Sequence, residues 1–233
     1  MDVLVVDVGG SQVKVLASGA SEPRRFESSP ELTPDALVRR VIDLTRGWDY
    51  EVVSLGYPGV VGPDGPMKEP GNLGTGWVGF DFHNAFDKPV RVVNDAVMHA
   101  LGGYEGGRML FLGLGTGLGS ALVSDHVIIP MELGDLPDPS GEPFGDRLGR
   151  RGFEGRPRHI WIAAVREIAG VLRHALAADY VLLGGGNARH VDRLPEHTRR
   201  AAADGAFTGG FRLWEETVEP HDRRPPLVWR VVR

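Results

Sequence analysis

Short apolar runs alternate with glycine-rich turns near the start of the chain. Residues 3–6 form a β-branched run that ends at Asp7, residues 8–12 have the composition of a turn, and residues 13–17 resume an extended pattern. Two strands joined in this way predict a β-hairpin, not the strand-to-helix crossover of a dinucleotide-binding fold. Because a second strand–turn–strand pattern follows at residues 109–124, the chain is expected to contain an internal structural duplication.

Helical periodicity alternates with further apolar runs in the rest of the chain. Helices are predicted at residues 34–46, 96–104, 159–176 and 205–216, and short buried strands at 52–55, 90–93 and 180–183. The apolar residues at helical spacing in the longest helix, which predict its buried face, are Ile160, Ala164, Ile168, Val171, Leu172 and Ala175. Strands that alternate with helices predict an α/β fold.

Two internal segments and the tail lack a regular pattern. Residues 62–79 are rich in glycine and proline, and a loop of this length is usually functional or mobile. Residues 130–158 are predicted to be irregular and are rich in arginine. The tail after Pro220 is broken by prolines and is expected to be extended.

The composition narrows the classes of protein. A chain of 233 residues with 42% hydrophobic and 24% charged residues has the balance of a globular protein with a real core. The absence of cysteine excludes a disulfide framework, a cysteine-ligated zinc site and a thiol nucleophile. The net charge of −5 argues against general nucleic-acid binding. No apolar run reaches the roughly 20 residues that span a bilayer, and no signal-peptide pattern is present, so a cytoplasmic location is expected.

The turn of the first hairpin carries the pattern Asp7-x-Gly9-Gly10-Ser11. Glycines let the backbone approach an anion closely, and successive N–H groups in a turn form an anion nest. Asp7 is placed to hold Mg²⁺ directly or through water, and Lys14 to neutralise phosphate charge. An ordinary glycine hairpin with Asp7 in a turn would account for the same residues.

The second hairpin carries a denser glycine pattern at residues 113–120, with Gly115, Thr116 and Gly117 at its tip. Because the pattern lies in a hairpin and not between a strand and a helix, it does not indicate a dinucleotide site. A turn that cradles phosphate fits the pattern better, and tight strand packing is the alternative interpretation.

A third glycine run follows the strand predicted at residues 180–183 and consists of Gly184, Gly185 and Gly186. A strand–glycine–helix junction can receive a phosphate or a base near the N-terminus of the helix. A bare glycine run is by itself a weak indication of such a site.

Two pairs of polar residues follow apolar runs. Asn94-Asp95 ends a strand just before a helix, where a carboxylate is placed to take a proton from a hydroxyl group. Helix capping by Asp95 is an alternative that does not exclude this role. Glu132 and Asp135 place two carboxylates in one loop, where they either hydrogen-bond neighbouring hydroxyls or form a solvated acidic turn.

The order of these motifs resembles that of the ROK family of sugar kinases and repressors, within the superfamily of sugar kinases and actin-like ATPases. The resemblance spans nearly residues 2–217 and is greatest to the polyphosphate and ATP glucokinase branch of the family. The segments that carry it are residues 6–14, 92–96, 112–122, 132–134, 181–186 and 209–214.

The resemblance implies a two-lobed, actin-like ATPase (ribonuclease H-like) α/β fold with mixed sheets and an interlobe cleft. The N-terminal lobe would comprise residues 1–95 and the C-terminal lobe residues 96–233, and a return of the last helix to the N-terminal lobe is left open. The implied activity is phosphoryl transfer from ATP or polyphosphate to the 6-hydroxyl of glucose, with Mg²⁺. The implied assembly is a cytoplasmic homodimer that binds small molecules rather than nucleic acid or membrane.

The resemblance also implies roles for individual residues. Asp95 is expected to act as general base toward the sugar hydroxyl, and Asp7 to orient Mg²⁺. The residues expected to bind the donor are Asp7, Gly9, Gly10, Ser11, Lys14, Gly115, Thr116, Gly117, Gly184, Gly185 and Gly186. The residues expected to bind the sugar are Asn94, Asp95, Glu132, Asp135 and Asp146, with Asn72 added for its place in the long loop.

The chain departs from the family pattern after the sugar loop. Many members carry a cysteine-rich zinc motif there, which this chain cannot form, and the polyphosphate branch lacks the motif as well. Asp135 stands where the family has a histidine, and an ionised aspartate accepts hydrogen bonds but cannot donate them. A kinase for another hexose such as mannose or fructose, and a non-catalytic sugar sensor, are therefore the alternative hypotheses.

Three further features each have two interpretations. Residues 147–159 contain five arginines, which form either a groove for a long polyanionic donor or, as we favour, a solvated face beside acidic neighbours. Trp77 and Phe80 in the long loop either close over a sugar ring or anchor the loop in the core. Trp161 on the longest helix is expected in the core or in a dimer contact.

Overall fold

The structure is a computed structural model that describes residues 1–125, 127–217, 227–228 and 230–231. It divides into two compact units, of which unit 1 comprises residues 1–102 with residues 206–217 and 227–228, and unit 2 comprises residues 103–205 with the strand at 230–231. The lobe boundaries inferred from the sequence stay a prediction, and most of the tail after Pro220 lies outside the described residues. In the described part of the chain, no helix is both long and apolar enough to cross a membrane.

Unit 1 is built on a five-stranded mixed sheet. The sheet consists of β1 (Val3–Val8), β2 (Gln12–Ala17), β3 (Arg24–Glu27), β4 (Val52–Tyr57) and β7 (Val90–Asn94). The short strands β5 (Val61–Gly62) and β6 (Gly65–Pro66) form a separate two-stranded sheet. The order in the sheet is β3-β2-β1-β4-β7, in which β1, β4 and β7 run parallel while β2 and β3 are antiparallel to their neighbours. The hairpin predicted from the first residues is thus β1–β2.

Unit 2 is built on a second mixed sheet. Its strands are β8 (Met109–Leu114), β9 (Leu118–Ser124), β10 (Val127–Met131), β11 (Tyr180–Gly184) and β12 (Thr198–Arg200). Three short strands follow among the described residues near the C-terminus. They are β13 (Glu216–Thr217) and β14 (Leu227–Val228), which belong to unit 1, and β15 (Arg230–Val231), which belongs to unit 2. The order β10-β9-β8-β11-β12 repeats the order β3-β2-β1-β4-β7 of unit 1, with the same pattern of parallel and antiparallel neighbours. The two units therefore show the internal duplication that the paired hairpins predict.

Seven α-helices flank these strands in the described residues. They are α1 (Pro34–Leu44), α2 (Phe82–Phe86), α3 (Asp95–Gly102), α4 (Phe144–Leu148), α5 (Arg150–Gly155), α6 (Arg158–Ala175) and α7 (Gly205–Arg212). The start of α1 follows the sequence signal, because the Thr33 hydroxyl accepts a hydrogen bond from the Ala36 N–H at 3.3 Å and Pro34 occupies the first turn.

The buried face of α6 matches the predicted one in part. The predicted residues Ala164, Ile168 and Leu172 are buried, whereas Ile160 and Val171 are 48% and 57% exposed and Ala175 is exposed as well. Trp161 and Val165, outside the predicted stripe, are fully buried. Apolar residues occupy two neighbouring stripes of this helix, and periodicity alone does not choose between adjacent stripes. The large indole settles the choice, since its Nε1 donates to the Leu148 carbonyl at 3.0 Å, which places Trp161 in the core.

The arginine-rich segment is more regular than predicted. Strand β10 and helices α4 and α5 lie within or beside residues 130–158. Pro130 in β10 and the glycines of α4 and α5 lower the local propensity for strand or helix, and tertiary contacts override that preference.

Helix α7 packs closely within unit 1 because two of its residues have no side chain. A Cβ at Gly209 would overlap the carbonyl oxygen of Met98 in α3, and one at Gly210 would lie 2.6 Å from a Val5 methyl group in β1. The carbonyl of Gly210 also accepts a hydrogen bond from the buried Ser54 hydroxyl at 2.6 Å. Close backbone approach therefore requires glycine at these positions.

The substitution G209A tests this close approach. We expect G209A to lower the free energy of unfolding by about 1–3 kcal/mol, because the new methyl group displaces backbone rather than a flexible side chain. The matched control is G170A in α6, where a Cβ meets no atom within 4 Å and alanine should add up to about 1 kcal/mol of helix stability. Denaturant unfolding measures both, and equal effects of the two substitutions would contradict the packing of α7.

Candidate active site

The carboxyl ends of three parallel strands lie side by side in unit 1. Asp7 of β1 is paired in register with Gly56 of β4, and Tyr57 of β4 is paired with Asn94 of β7. Ligands of open α/β sheets bind outside such carboxyl ends. The predicted residues Asp7 and Asp95 therefore share one edge of the sheet, since β1 and β7, which Asp95 directly follows, are separated only by β4.

The turn between β1 and β2 is held by a serine from the neighbouring strand end. The Gly9 N–H donates to the Gln12 carbonyl at 3.0 Å and closes the turn. Ser28 donates through its hydroxyl to the Gly9 carbonyl at 2.8 Å and through its N–H to the Ser11 carbonyl at 3.1 Å. These bonds engage turn carbonyls, while Gly10 and Ser11 are exposed at the tip.

Asp7 is buried behind this turn, with 7% of its surface exposed, and is paired in register with Lys14 across the hairpin. His99 lies in α3, one helical turn after Asp95. It is close enough to Asp7 and Lys14 for their charges to shift its pKa. Burial lowers the pKa of His99, while the Asp7 carboxylate raises it and the Lys14 ammonium lowers it. His99 is not among the residues predicted from the sequence; its spacing of four residues from Asp95 is the signal that points to it.

Asn94 and Asp95 begin α3 together. The Asn94 amide donates to the Gly59 carbonyl at 3.0 Å, and its oxygen accepts from the Ala96 N–H at 2.8 Å. Asp95 accepts from the same N–H at 2.8 Å. Both residues therefore take part in capping the helix, and Asn94 also holds the loop that follows β4. The NH2 group and the oxygen of the Asn94 amide each retain hydrogen-bonding capacity for a further partner.

Gly56 lets the start of α3 lie directly on β4. A Cβ at this position would be 3.6 Å from the Asp95 Cα and 2.5 Å from the terminal methyl of Met98. The absence of a side chain at Gly56 thus determines how closely Asp95 approaches the sheet edge.

Trp77 belongs to the core of unit 1. Its ring is fully buried and lies 5.5 Å from the Tyr57 ring and 6.2 Å from the Phe82 ring, centroid to centroid. Phe80 packs edge-on against Phe82 at 4.8 Å. The interpretation of Trp77 as a ring that closes over a sugar is therefore wrong, and the anchor interpretation holds. Asn72 lies on the same loop and is half-buried.

In unit 2 the tip of the β8–β9 hairpin packs against the start of α5. The Gly115 N–H donates to the Gly117 carbonyl at 3.2 Å, and the Thr116 carbonyl accepts from the Arg150 N–H at 3.1 Å. A Cβ at Gly149 would lie 2.6 Å from the Thr116 oxygen. Gly149, at the junction of α4 and α5, therefore packs directly against the predicted phosphate turn.

The third glycine run adjoins this hairpin. Gly184 is paired in register with Gly113, and Gly185 has a φ of +79° and lies so close to β8 that a Cβ would be 2.5 Å from the Leu114 oxygen. A five-residue 3₁₀ helix, Gly186–His190, follows, so the junction leads into a 3₁₀ helix rather than an α-helix.

Ser120 of β9 holds the predicted sugar loop. Its buried hydroxyl donates to the Met131 carbonyl at 2.7 Å and accepts from the Leu133 N–H at 3.1 Å, so the two bonds bracket Glu132. Glu132 and Asp135 are exposed at the two ends of the 3₁₀ turn Leu133–Asp135. The role of Ser120 was not visible in the sequence, because its partners come from the next strand.

The arginine-rich segment is largely paired with carboxylates of its own unit. Asp146, predicted to bind sugar, forms an ion pair with Arg151 at 2.7 Å. The other pairs are Arg147 with Asp138, and Arg156 with Glu142. The arrangement supports the interpretation of a charged face beside acidic neighbours rather than a free basic groove.

Asp138 organises the segment between the sugar loop and α4. It is 6% exposed, and one oxygen accepts from the Ser140 N–H at 2.7 Å and the Glu142 N–H at 3.0 Å. Its other oxygen pairs with Arg147. The Ser140 hydroxyl is the main cause that lowers the pKa of Asp138 to about 2, with the Glu142 N–H and Arg147 adding to the effect.

In each unit, then, several predicted residues come together. Unit 1 brings Asp7, the turn at residues 9–11, Asn94 and Asp95 to one sheet edge. Unit 2 brings the hairpin tip at residues 115–117, the glycine run at 184–186 and the loop at 132–135 around the ends of β8, β9 and β11. Among the described residues, no group of three or more histidines or carboxylates is arranged to hold a metal ion.

Comparison with known proteins supports the resemblance drawn from the motifs. No family model matches the chain. The polyphosphate glucokinase of Mycobacterium tuberculosis (strain CDC 1551 / Oshkosh) is 25% identical over 212 residues, which cover 81% of this chain and 78% of that protein. The polyphosphate glucokinase of Mycobacterium leprae (strain TN) is 24% identical over 233 residues, covering 88% of this chain and 71% of that protein.

Solved structures share the fold. The inorganic polyphosphate/ATP-glucomannokinase of Arthrobacter sp. strain KM superposes with a TM-score of 0.77 at 20% identity, over 90% of this chain and 96% of that one. The α/β fold with mixed sheets, expected from the resemblance to ROK family sugar kinases, is confirmed, as is the resemblance itself.

The substitution S120A tests how the sugar loop is held. We expect it to lower the free energy of unfolding by about 1–3 kcal/mol, because the Leu133 N–H and the Met131 carbonyl both lose a buried partner. The control S124A, near the end of the same strand, should change stability by no more than about 0.5 kcal/mol. Denaturant unfolding measures both, and a neutral S120A would show that the hydroxyl does not hold the loop.

The substitution D138N tests the charge of Asp138. The lowered pKa means that the ionised carboxylate stabilises the folded chain above about pH 4, and that this contribution is lost as the pH falls toward about 2. We expect D138N to melt below the wild type at pH 7 and the difference in Tm to shrink between about pH 4 and pH 2. A difference in Tm that stays constant across this range would contradict the assignment.

Proposed function

We propose that the chain is a sugar kinase that transfers a phosphoryl group from polyphosphate or ATP to the 6-hydroxyl of glucose. The observation that carries the proposal is the placement of Asp95 and buried Asp7 at one edge of the unit 1 sheet, at the carboxyl ends of parallel strands. The names of the related proteins, polyphosphate glucokinase and polyphosphate/ATP-glucomannokinase, support the same activity and the same two donors.

Asp95 would act as the general base. Its carboxylate would take the proton of the 6-hydroxyl, the sugar oxygen would form a bond to the terminal phosphorus, and the bond from that phosphorus to the donor would break. The products would be the sugar phosphate and either ADP or a polyphosphate shorter by one unit. Phosphoryl transfer depends on positioning and on neutralisation of charge more than on covalent help from the protein, so one base at a defined place is sufficient.

Unit 1 also offers groups for the donor. Lys14 and the turn at Gly9, Gly10 and Ser11 lie beside Asp7 and would neutralise phosphate charge. Mg²⁺ is usually held in such sites by one or two carboxylates together with water and substrate phosphates, and the single buried carboxylate of Asp7 fits that requirement. When bound, the ion would lower the negative charge of the donor phosphates.

Unit 2 carries the other residues that the family resemblance assigns to the substrates. The hairpin tip, Gly115 to Gly117, and the glycine run, Gly184 to Gly186, are assigned to the donor. Sugar hydroxyls are assigned to Glu132, Asp135 and Asp146 of unit 2 and to Asn72 and Asn94 of unit 1. Because Asp146 is paired with Arg151, it would reach a sugar only through its remaining acceptor capacity. We further propose that the kinase is a cytoplasmic homodimer, as the family resemblance implies.

Asp135 favours a second candidate substrate. Where the family has a histidine, this exposed carboxylate accepts hydrogen bonds and cannot donate them, so the preferred hydroxyl pattern of the sugar can differ. Mannose is the first alternative to test, since one related protein is named a glucomannokinase. A sugar sensor without turnover is the remaining alternative.

The substitution D95N tests the proposed base within a matrix of sugars and donors. Glucose, mannose and fructose are each assayed with ATP and with polyphosphate in the presence of Mg²⁺. We expect turnover in the wild type, and a loss of about 10²- to 10⁴-fold in kcat for D95N. Sugar affinity measured by calorimetry should change little, because the amide still offers an oxygen acceptor and similar size.

The control for this experiment is D49N, at an exposed carboxylate in the loop between α1 and β4, which should keep wild-type turnover. A folded wild-type protein that phosphorylates no sugar with either donor would overturn the kinase proposal. Sugar binding without turnover in that case would favour the sensor, and normal turnover by D95N would remove Asp95 from the role of base.

A further inference from the structure

A glutamate closes the neck of the long loop of unit 1. One carboxylate oxygen of Glu69 accepts from the Trp77 N–H at 3.1 Å, and the other accepts from the Val78 N–H at 3.3 Å. The two oxygens therefore bind two successive amides, and the seven residues 70–76 between them form a closed loop. We call residues 69–78 the Glu69 clamp.

Segment 70–76 also contacts the rest of unit 1 at its middle. Leu73 is buried, with 7% exposure, and the Gly74 N–H donates to the Leu32 carbonyl at 3.1 Å. A Cβ at Gly74 would lie 3.0 Å from that oxygen, so the approach depends on glycine. Asn72, the residue assigned to the sugar, is the immediate neighbour of this anchor.

Both ends of the clamp are tied to the core. Trp77 is fully buried against Tyr57, and the Tyr57 hydroxyl donates to the Lys68 carbonyl at 2.7 Å, one residue before Glu69. Tyr57 is in turn paired in register with Asn94 at the sheet edge described above. The clamp is thus linked to the edge that carries Asp95.

The charge of Glu69 suits this role. The Trp77 N–H is the main cause that lowers the pKa of Glu69, with the Val78 and Gly76 amides adding to the effect against the opposing influence of burial. Hydrogen bonds to an ionised acceptor are stronger than those between neutral groups. The carboxylate, rather than its protonated form, therefore holds the two amides.

We propose that Glu69 is a positioning residue that holds segment 70–76 in the conformation that presents Asn72 to the sugar. The inference rests on the proposed function, because it assigns Glu69 to the sugar side of that reaction. A segment that contains three glycines loses much conformational freedom when a ligand orders it. A clamp that orders the segment before the sugar arrives removes that cost from binding and so favours affinity.

The test compares E69A and E69Q with D64N, a control at an exposed carboxylate in the same loop. We expect E69A to raise the KM for glucose about tenfold, with kcat within about twofold of the wild type. E69Q keeps one acceptor oxygen and should lie between E69A and the wild type. D64N should match the wild type in both constants.

Two further measurements separate positioning from a general effect on folding. Hydrogen exchange of the Trp77 and Val78 amides should accelerate in E69A and remain at the wild-type rate in D64N. On an N72A background, which itself should raise the KM for glucose, E69A should add less than about a twofold change, because both substitutions then remove the same contact.

Each outcome decides the inference. Unchanged KM in a folded E69A, unchanged exchange of the two amides, or a full tenfold effect of E69A on the N72A background would each overturn it. If E69A does not fold, the same comparisons are made with E69Q. An inactive wild type would overturn the proposed function, while amide exchange would still show whether the clamp exists.

Discussion

The parallel register of β1, β4 and β7 is the constraint on which the candidate site of unit 1 depends. Hydrogen bonds between these strands align their carboxyl ends, so Asp7 and Asp95 meet one edge although they are far apart along the chain. A slip of one residue in β1 would turn Asp7 to the opposite face of the sheet. Gly56, on the strand between them, then lets α3 begin directly against that edge.

Unit 2 repeats this arrangement of strands with different chemistry at its end. The hairpin β8–β9 stands where unit 1 has β1–β2, and β11 stands where unit 1 has β4. Glycine again sets the spacing, since Gly185 lies against the Leu114 backbone as no residue with a side chain could. The duplication thus provides two strand ends with exposed turns, of which only the first carries a buried carboxylate and a lysine.

Between the strands, irregular segments are held by side chains that bind backbone groups. Ser120 binds the backbone on both sides of Glu132, and Asp138 accepts hydrogen bonds from two amides before α4. Glu69 binds two amides at the end of the loop that carries Asn72. In each case one polar side chain satisfies backbone groups that have no partner in a helix or sheet. Candidate substrate residues can then lie on loops and still occupy defined positions.

The sequence by itself determined the hairpins, the helices α1 and α6, and the position of Asp95 between a strand and a helix, because these follow from local periodicity and turn residues. Short-range patterns do not reveal which stripe of α6 is buried, that a 3₁₀ turn follows Gly185, or which carboxylates pair with the arginines. Those features were decided by tertiary structure, since each depends on an atom contributed by another segment: the Leu148 carbonyl for Trp161, the Leu114 backbone beside Gly185, and a neighbouring carboxylate for Arg147, Arg151 and Arg156. The clamp at Glu69 belongs to the second group for the same reason, because its two amides become neighbours of the carboxylate only when Trp77 enters the core.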